Sequence, residues 1–293
     1  FYTKDYQRFV EYNIQDVELV DRLEDKMKLI ELCLTMAYDY KVNYTDVYSQ
    51  VRCWDTLIYN HLLAKDIIIP PREEQIKDSQ YEGAYVKDPQ LGLHNWIVSF
   101  DLNSLYPHLI MQYNLSPETL VGVQPKNMGV ENYLNEKFNL QWARDKNVTV
   151  APNGSMYRRD KQGFLPELME KMYGDRVVFK KKTIEAKKEF QKTKDPIYKN
   201  EISRCHNIQM AKKISLNSAY GAIGNQYFRY FDVKQAEAIT LGGQLSIRWV
   251  ERDVNRFMNK LLNTNNINYV VASDTDSILS LIHISEPTRL QQI

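Results

Sequence analysis

The chain has little cysteine, no long apolar run and almost no net charge. Its 293 residues include only three cysteines, Cys33, Cys53 and Cys205, and none of them forms a Cys-x-x-Cys pair. This spacing argues against a zinc ribbon and against a disulfide scaffold, and it fits a reducing cytoplasm. The five histidines show no metal-ligand spacing either. A structural metal of the zinc type is therefore not expected.

Membrane insertion and a strongly basic surface are not indicated either. No apolar run approaches the ~20 residues that a membrane-spanning helix needs, and Ile67-Ile68-Ile69 is followed by Pro70-Pro71. The 38 basic and 37 acidic residues nearly cancel, so any surface that attracts nucleic acid must be local. Because an initiator Met and a signal-peptide pattern are lacking, we expect an internal piece of a longer protein.

One aspartate stands at the end of a short strand-like run. The apolar and β-branched run from Trp96 to Phe100 predicts a buried strand that ends at Asp101. Pro107 cannot continue a strand, so a tight turn is predicted over residues 102–106, with a helix from Leu105 through Tyr113. Taken alone, such an aspartate is usually only a helix cap or a turn former.

A second strand-like run, Ile267 to Ser273, ends on two further carboxylates, Asp274 and Asp276. A lone Asp-x-Asp is also typical of a surface turn. If the two strands pair, however, Asp101, Asp274 and Asp276 meet at one edge of a sheet. Three carboxylates repel one another unless cations lie among them, and Mg²⁺ prefers such oxygen ligands. The pattern predicts a two-metal phosphoryl-transfer site.

Two long helices lie between these strands. The first is predicted from Leu165 to about Lys192, and the second from about Tyr198 to Tyr220, with Asp195-Pro196 separating them. Lys213, Asn217 and Tyr220 follow i, i+4 and i+7 spacing, which puts an ammonium, an amide and an aromatic ring on one face. Such a face suits a phosphate and a base, although a lysine on a helix is also typical of a solvated surface.

The remaining segments carry structural predictions. A stripe of apolar residues in a long N-terminal helix (Val20, Leu23, Met27, Ile30 and Leu34) is predicted to pack in a core. Asp16 is expected near the start of that helix, where it favours the macrodipole. Irregular structure is predicted for residues 117–151, a polar turn for 157–163, and a long helix from Val233 to about Leu262 containing Gly242 and Gly243.

Together these stretches resemble the family B DNA polymerases. SFDLNSLYP (99–107) resembles motif A, KISLNSAYGAIGN (213–225) motif B and YVVASDTDS (269–277) motif C, in the family's order. Residues 81–86, 114–119 and 228–232 narrow the likeness to the replicative polymerases of myovirus-type bacteriophages. One departure is Ser273, where many relatives have glycine. The resemblance runs from about Tyr12 to Ile278.

The resemblance implies an α+β fold. It consists of a polymerase palm, with an antiparallel sheet and helices, a two-helix fingers insertion, and a preceding helical tail of a 3′–5′ exonuclease domain. The implied divisions are 1–35 exonuclease tail, 36–72 helical connection, 73–162 first part of the palm, 163–225 fingers, and 226–278 truncated second part of the palm. Residues 279–293 look like a translated sequencing adaptor, a non-native tail, so the strand that completes the motif C hairpin is expected to be missing.

The resemblance also implies roles for individual residues. The catalytic carboxylates are Asp101, Asp274 and Asp276, and the ligands of two Mg²⁺ ions are Asp101, Asp276 and the Leu102 carbonyl. The residues that bind the nucleotide are Ser104, Leu105, Tyr106, Arg176, Lys180, Lys213, Asn217 and Tyr220. The ring of Tyr106 stacks under the sugar and selects deoxynucleotides, while it also suits an ordinary core position. Tyr12 and Asp16 match a remnant of the exonuclease site.

The implied reaction is template-directed addition of deoxynucleotides to a primer 3′ end, in the cytoplasm of an infected bacterium. Its partners are primer–template DNA and deoxynucleoside triphosphates, together with a sliding clamp and other replisome proteins, and no membrane. Exonuclease activity is not expected. Two alternatives stay open. One is a catalytically incomplete fragment that binds DNA or nucleotide, and the other is a different palm enzyme, such as a reverse transcriptase or a nucleotide cyclase.

Overall fold

The computed structural model describes residues 2–74, 76, 80–124, 128–137 and 139–281. Over these residues the chain is α+β, as predicted, with α-helices and two antiparallel sheets. The helices are α1 (Tyr6–Met27), α2 (Leu29–Tyr40), α3 (Gln50–Leu63), α4 (Leu105–Tyr113), α5 (Val130–Leu134), α6 (Gln141–Asp145), α7 (Phe164–Thr193), α8 (Pro196–Ile223) and α9 (Val233–Leu261). The strands are β1 (Val86–Lys87), β2 (Ile97–Asp101), β3 (Leu120–Val123), β4 (Val148–Val150), β5 (Ser155–Arg158), β6 (Val270–Asp274) and β7 (Ser277–Leu281).

The chain folds into two compact units. The first combines the described residues of Phe1–Leu57 and Tyr173–Ser215, and the second those of Ile58–Met172 and Leu216–Ile293. In the first unit, Met36, Ala37 and Tyr40 of α2 pack with Cys53 of α3 and Ala211 of α8 in one buried cluster. A hydrogen bond of 2.5 Å joins the Tyr40 hydroxyl to Ser215 in this cluster. The core of the first unit therefore lies on α2, not on α1.

The prediction for the N-terminal stripe is wrong. Helix α1 begins at Tyr6, because Asp5 accepts a hydrogen bond from the Arg8 amide at 3.2 Å and caps it. Asp16 therefore lies in the helix interior, away from the positive end of the dipole. None of the residues of α1 is buried, and most of its apolar side chains are exposed. Lys28, with φ of 54°, ends α1 and separates it from α2. The exposed stripe residues are Val20, Leu23, Met27, Ile30 and Leu34.

The second unit is built on a four-stranded sheet with the order β1-β6-β7-β2. One face packs on α9, where Ile247 meets Val270 of β6 and Ile278 of β7 in a buried cluster. Helix α4 packs on α9 as well. The sheet, α4 and α9 therefore pack together and position the two strand ends that carry the aspartates.

Strand β2 is largely exposed, whereas the sequence predicted a buried strand. It is the last strand in the order and pairs with β7 alone among the described strands, and four of its five residues are exposed. It begins at Ile97, because Trp96 has a positive φ of 58° that an extended strand does not allow. The end at Asp101 is as predicted.

The strand expected to be missing from the hairpin is present. Strand β7 covers Ser277–Leu281 and lies between β6 and β2. Residues 279–281, assigned to the adaptor-like tail, pair with Ser99, Val98 and Ile97 of β2. Residues 282–293 lie outside the described part of the chain, and their non-native origin stays a prediction. The expectation failed because buried Ile278 and Ser280 alternate with exposed Leu279, which is a strand pattern whatever the origin of the segment.

The segment predicted to be irregular contains much of a second sheet. Strands β3, β5 and β4 form it in that order, and helices α5 and α6 lie within the same stretch of chain. Tyr157, placed by the sequence in a polar turn, is fully buried on β5. Strands of three or four residues are too short to produce a periodic signal.

The longer helices follow the predictions closely. Helix α4 has the predicted bounds, and α7, α8 and α9 begin and end within three residues of them. A Pro at the first position of α8 and the Asp195 carboxylate, which accepts from the Ile197 amide at 2.9 Å, start the second helix of the pair. Within the described residues, no helix has the length and apolar character to cross a membrane.

Candidate active site

Two aspartates lie on either side of one residue of β7. Asp101 at the end of β2 pairs with Ser277, and Asp274 at the end of β6 pairs with the same Ser277. Strands β2 and β6 do not pair directly, because β7 separates them. The two strand ends therefore lie close together as predicted, but they do so through β7, the strand that was expected to be missing.

The turn between β6 and β7 contains only Thr275 and Asp276. Thr275 has φ of 53°, which is strained for a β-branched residue. Its amide donates to the Tyr85 carbonyl at 3.0 Å, and its hydroxyl donates to the Asp274 carboxylate at 2.9 Å. The Asp276 amide donates to the Asp274 carbonyl at 2.6 Å. These bonds hold both carboxylate-bearing residues in one short turn.

A backbone hydrogen bond ties this turn to motif A. The amide of Leu102, directly after Asp101, donates to the Asp276 carbonyl at 2.7 Å. The bond supports the position of Asp276 beside the end of β2. Asp101 and Asp274 are exposed, whereas Asp276 is half-buried.

Burial and neighbouring charges shift the pKa values of two residues at this turn. Burial raises the pKa of the Asp276 carboxyl above its ordinary value, and the negative charges of Asp101 and Asp274 raise it further. Burial also raises the pKa of the Tyr106 hydroxyl, with smaller contributions from Asp276 and Tyr81. Asp276 therefore lies within electrostatic reach of both Asp101 and Tyr106.

The donor set suits a hard cation, although the side chains are not gathered into a complete cage. Over the described residues, no group of three or more His, Cys, Asp or Glu side chains is arranged to hold a metal ion. Burial, followed by the charges of Asp101 and Asp274, destabilises the negative charge of Asp276. A divalent cation would relieve that repulsion, and carboxylate and carbonyl oxygens are the ligands that Mg²⁺ takes.

The N-terminus of α4 has no side-chain cap. Ser104 occupies the N-cap position with φ of 53°, and no side chain accepts a hydrogen bond from the first amides of the helix. Pro107 in the first turn has no amide hydrogen to satisfy. The amides of Leu105 and Tyr106 are therefore suited to an anion, as at other helix N-termini.

Three tyrosines form a connected group beside this turn. The rings of Tyr106 and Tyr220 meet edge to face, with centroids 5.0 Å apart. The Tyr220 hydroxyl donates to the Tyr81 hydroxyl at 3.3 Å. The structure thus brings motifs A and B together through Tyr106 and Tyr220, which the sequence had assigned separately. Tyr81 was not among the predicted site residues, although its segment 81–86 carried part of the resemblance.

The predicted cationic residues of the first unit differ in their surroundings. Arg176 is half-buried on α7, and Lys180 and Lys213 are exposed. Lys212, next to Lys213, makes an ion pair with Asp39 at 2.7 Å. Within the described residues, Lys180 and Lys213 have no ion-pair partner. Their charges are therefore not neutralised by the protein.

The remaining predicted residues lie as follows. Asn217 is exposed on α8, four residues after Lys213. Tyr12 and Asp16, the residues of the exonuclease remnant, are both exposed on α1 and lie one helical turn apart. These positions agree with the residue spacing, and the roles of the residues stay predictions.

Two asparagines of α9 that the sequence analysis missed support motif C. Asn255 accepts hydrogen bonds from the amides of Tyr269 and Val270 at 2.7 and 3.3 Å. Asn259 donates to the Ile267 carbonyl at 2.7 Å and accepts from the Ile267 amide at 3.0 Å. Together they fix the segment that leads into β6. Their i, i+4 spacing next to the strand was the only available sequence signal.

The fold and the site together define an α+β chain whose strand-end carboxylates lie beside an uncapped helix N-terminus. The sequence model of DNA polymerase family B matches residues 42–293. The chain therefore belongs to DNA polymerase family B. This membership excludes the reverse transcriptase and nucleotide cyclase alternatives.

Individual relatives agree with the family. The chain is 32% identical to the DNA-directed DNA polymerase of Enterobacteria phage T4, over 93% of this chain and 34% of that protein. It is 31% identical to the DNA-directed DNA polymerase of Escherichia phage RB69, over 93% and 34% respectively. The chain therefore spans about a third of the length of these relatives.

A solved structure shares the fold. The family B DNA polymerase from the archaeon Pyrobaculum calidifontis superposes with a TM-score of 0.60 at 24% identity. The superposition covers 92% of this chain and 31% of the archaeal one.

Proposed function

We propose that this chain is the nucleotidyl-transfer part of a polymerase that adds deoxynucleotides to a primer 3′ end under the direction of a template. The observation that carries the proposal is the arrangement of Asp101 and Asp274 on either side of Ser277, with Asp276 in the adjoining turn. Family membership and the phage relatives support the same reaction. The palm, fingers and exonuclease-tail assignments are part of this proposal.

Asp101, Asp276 and the Leu102 carbonyl would hold the metal, with Asp274 assisting from the same turn. Support comes from the raised pKa of Asp276, since burial and then the charges of Asp101 and Asp274 destabilise its carboxylate, and a cation would relieve this. Two bound Mg²⁺ ions would lower the pKa of the primer 3′-hydroxyl and neutralise the triphosphate. The role of the chain itself is to fix the carboxylates, and the bond between Leu102 and Asp276 does so.

The triphosphate would be held by amides and by cations. The amides of Ser104, Leu105 and Tyr106 suit phosphate oxygens because α4 has no side-chain cap. Arg176, Lys180 and Lys213 supply positive charge, and Asn217 adds an amide one turn after Lys213. Lys180 and Lys213 are suited to this task because no described acidic group pairs with them. Charge-assisted hydrogen bonds of this kind are the stronger ones.

Tyr106 would select deoxynucleotides by lying under the sugar, where a 2′-hydroxyl meets the ring. Tyr220, in contact with Tyr106, would lie near the nascent base pair and affect fidelity. The edge-to-face contact of the two rings supports this pairing of roles. A Tyr106→Ala chain should accept ribonucleotides more readily than the wild type, and an unchanged preference would contradict the gate.

The proposed partners are primer–template DNA and deoxynucleoside triphosphates, with a sliding clamp and other replisome proteins for the whole polymerase, in the cytoplasm of an infected bacterium. Tyr12 and Asp16 are proposed as a remnant of an exonuclease site. Their exposure on α1 leaves them accessible to further residues of such a site.

The test is Mg²⁺-dependent binding of a fluorescent deoxynucleoside triphosphate to the full chain, followed by primer extension. Asp101→Asn and Lys213→Ala should each weaken binding at least tenfold, and circular dichroism should confirm that both variants fold. Binding that is insensitive to Mg²⁺ and to both substitutions would contradict the proposal.

A second candidate is a unit that binds DNA and nucleotide without turnover. The chain spans only about a third of its phage relatives, and this observation favours it. Primer extension separates the two. Metal-dependent nucleotide binding without any extension would identify the binding unit, and extension abolished by Asp101→Asn would identify the polymerase.

A further inference from the structure

Gly243 lies in the interior of α9, where glycine is a poor choice for stability. Helix α9 runs from Val233 to Leu261, and glycine at an interior position destabilises a helix relative to alanine. Backbone conformation does not require glycine here, since among the described glycines only Gly92 and Gly154 have a positive φ. Gly243 is also buried. The reason for a glycine must therefore be space.

The space is occupied by the ring of Tyr106. A Cβ atom built on Gly243 would lie 2.9 Å from Cε1 of Tyr106, closer than real Cβ atoms approach another atom, and 3.6 Å from Leu105. The ring of Tyr106 therefore rests directly on the backbone of α9. The same ring also contacts Tyr220, with centroids 5.0 Å apart, so a displaced ring must disturb that contact.

The neighbouring glycine provides a natural comparison. A Cβ atom on Gly242 would lie 3.1 Å from the ring of Tyr113 and 3.4 Å from Leu109, both on α4. Gly242 is buried as well, so the two glycines share a helix, a degree of burial and tight packing on α4. They differ in the tyrosine that each one accommodates. Only Gly243 faces the ring proposed to lie under the sugar.

We infer that Gly243 is a positioning residue for sugar selection, since its missing side chain lets Tyr106 lie against α9 and so sets the depth of the sugar site. This inference rests on the proposed function, in which Tyr106 is the residue that distinguishes deoxynucleotides from ribonucleotides. A methyl group at position 243 would displace the ring. A displaced ring would no longer lie at the depth where it accepts a deoxyribose and excludes a 2′-hydroxyl, so the preference for deoxynucleotides should fall.

The experiment measures the dissociation constants of dATP and ATP with Mg²⁺ on the full chain, by displacement of a fluorescent nucleotide. Gly243→Ala should lower the ratio of ATP to dATP dissociation constants at least fivefold. Gly242→Ala, which adds the same methyl group to the same helix, should leave that ratio within twofold of the wild type. In a Tyr106→Ala background, Gly243→Ala should change nothing further, because the ring that it would strike is gone.

The outcomes separate the inference from the proposed function. Three outcomes would overturn the role of Gly243 alone. The preference for dATP could persist in folded Gly243→Ala, or it could fall equally in Gly242→Ala. In the third, Gly243→Ala would still lower the preference in the Tyr106→Ala background. A wild-type chain with no preference overturns the selection role of Tyr106, and the role of Gly243 with it. If Gly243→Ala does not fold, the double variant with Tyr106→Ala should restore the melting transition, and failure to restore it overturns the inference.

Discussion

The amide of Leu102 donates a 2.7 Å hydrogen bond to the carbonyl oxygen of Asp276. This bond joins the residue after the end of β2 to the turn between β6 and β7, although the two are far apart in the sequence. Because Asp101 and Asp274 also both pair with Ser277, the backbone holds Asp101, Asp274 and Asp276 in one assembly. The charges of this assembly are the first property to test.

Asp276→Asn should stabilise the metal-free protein at neutral pH. Burial and the nearby Asp101 and Asp274 raise the pKa of Asp276 in the folded state above its ordinary value of 3.8. The folded protein therefore binds this proton more tightly than the unfolded chain does. Stability falls as pH rises from the ordinary pKa through the raised one, and the full penalty remains above it. The asparagine removes that penalty.

Thermal unfolding in a chelating buffer, from pH 4 to pH 8, checks this dependence. The advantage of Asp276→Asn should be largest at high pH and should shrink toward pH 4. An advantage that grows on acidification would contradict the sign. As a second check, Asp101→Asn should lower the pKa of Asp276, measured by carboxyl carbon NMR, because it removes a neighbouring negative charge.

Lys213→Ala and Lys212→Ala should separate nucleotide binding from stability. Lys213 is exposed, with no ion-pair partner among the described residues, so its loss should leave the melting temperature nearly unchanged. Loss of a charge-assisted hydrogen bond to a phosphate, worth about 1.5–3 kcal/mol, should weaken triphosphate binding roughly 10- to 100-fold.

Lys212 is the matched control. Its ammonium lies 2.7 and 2.9 Å from the two carboxylate oxygens of Asp39, and its side chain is only 13% exposed. Lys212→Ala should therefore lower the free energy of unfolding by about 1–3 kcal/mol, since it leaves Asp39 half-buried without its partner. Equal losses of nucleotide binding in the two variants would refute the assignment of Lys213.

The sequence predicted correctly the elements that have a strong local signal. The predictions failed where packing against other elements decides the structure. The helices α4, α7, α8 and α9 followed from periodicity and from Pro196 at the start of α8. The apolar stripe of α1 has the same periodicity as a core helix, yet it lies in solvent. Periodicity reports which face is apolar, and it does not report whether a partner covers that face.

The candidate site was partly predictable for the same reason. Asp101 and Asp274 were predicted because each stands at the end of a strand signal, and Asp276 because it lies two residues after Asp274. The support from Asn255 and the space left by Gly243 depend on long-range packing, which no spacing rule encodes. The place of β7 between the two aspartate-bearing strands also could not be read from the sequence, because strand order is a tertiary property.

Ser273→Ala should be neutral or stabilising by up to about 1 kcal/mol. The hydroxyl oxygen of Ser273 is buried and has no hydrogen-bond partner among the described residues. A buried polar group without a partner destabilises a protein, and alanine removes it without changing the backbone. Ser273→Gly removes the same hydroxyl but adds backbone freedom within a strand, so its gain should be smaller. Urea unfolding of both variants checks this order, and a clear loss of stability in Ser273→Ala would show that the hydroxyl is bonded.

Asn255→Ala should destabilise the segment that leads into β6 and motif C. The side-chain oxygen of Asn255 accepts from the amides of Tyr269 and Val270 at 2.7 and 3.3 Å, and both of these residues are buried. Alanine would leave the buried Tyr269 amide without this acceptor, while the Val270 amide keeps the side-chain oxygen of Asn268 at 3.2 Å. The expected loss is about 1–3 kcal/mol in the free energy of unfolding. Asn255→Asp keeps the acceptor and should recover part of that loss.

The amides themselves provide the decisive measurement for Asn255. Hydrogen exchange should accelerate in Asn255→Ala at Tyr269 most, and less at Val270, which keeps its bond to Asn268. The Tyr269 amide no longer has to break a hydrogen bond to the Asn255 side chain before it exchanges with solvent. Asn265→Ala, on the exposed loop between α9 and β6, should change neither stability nor exchange. Since β6 carries Asp274 and leads directly to Asp276, metal-dependent nucleotide binding should weaken together with the faster exchange. Faster exchange with unchanged binding would show that the strand tolerates this loosening without moving its carboxylates.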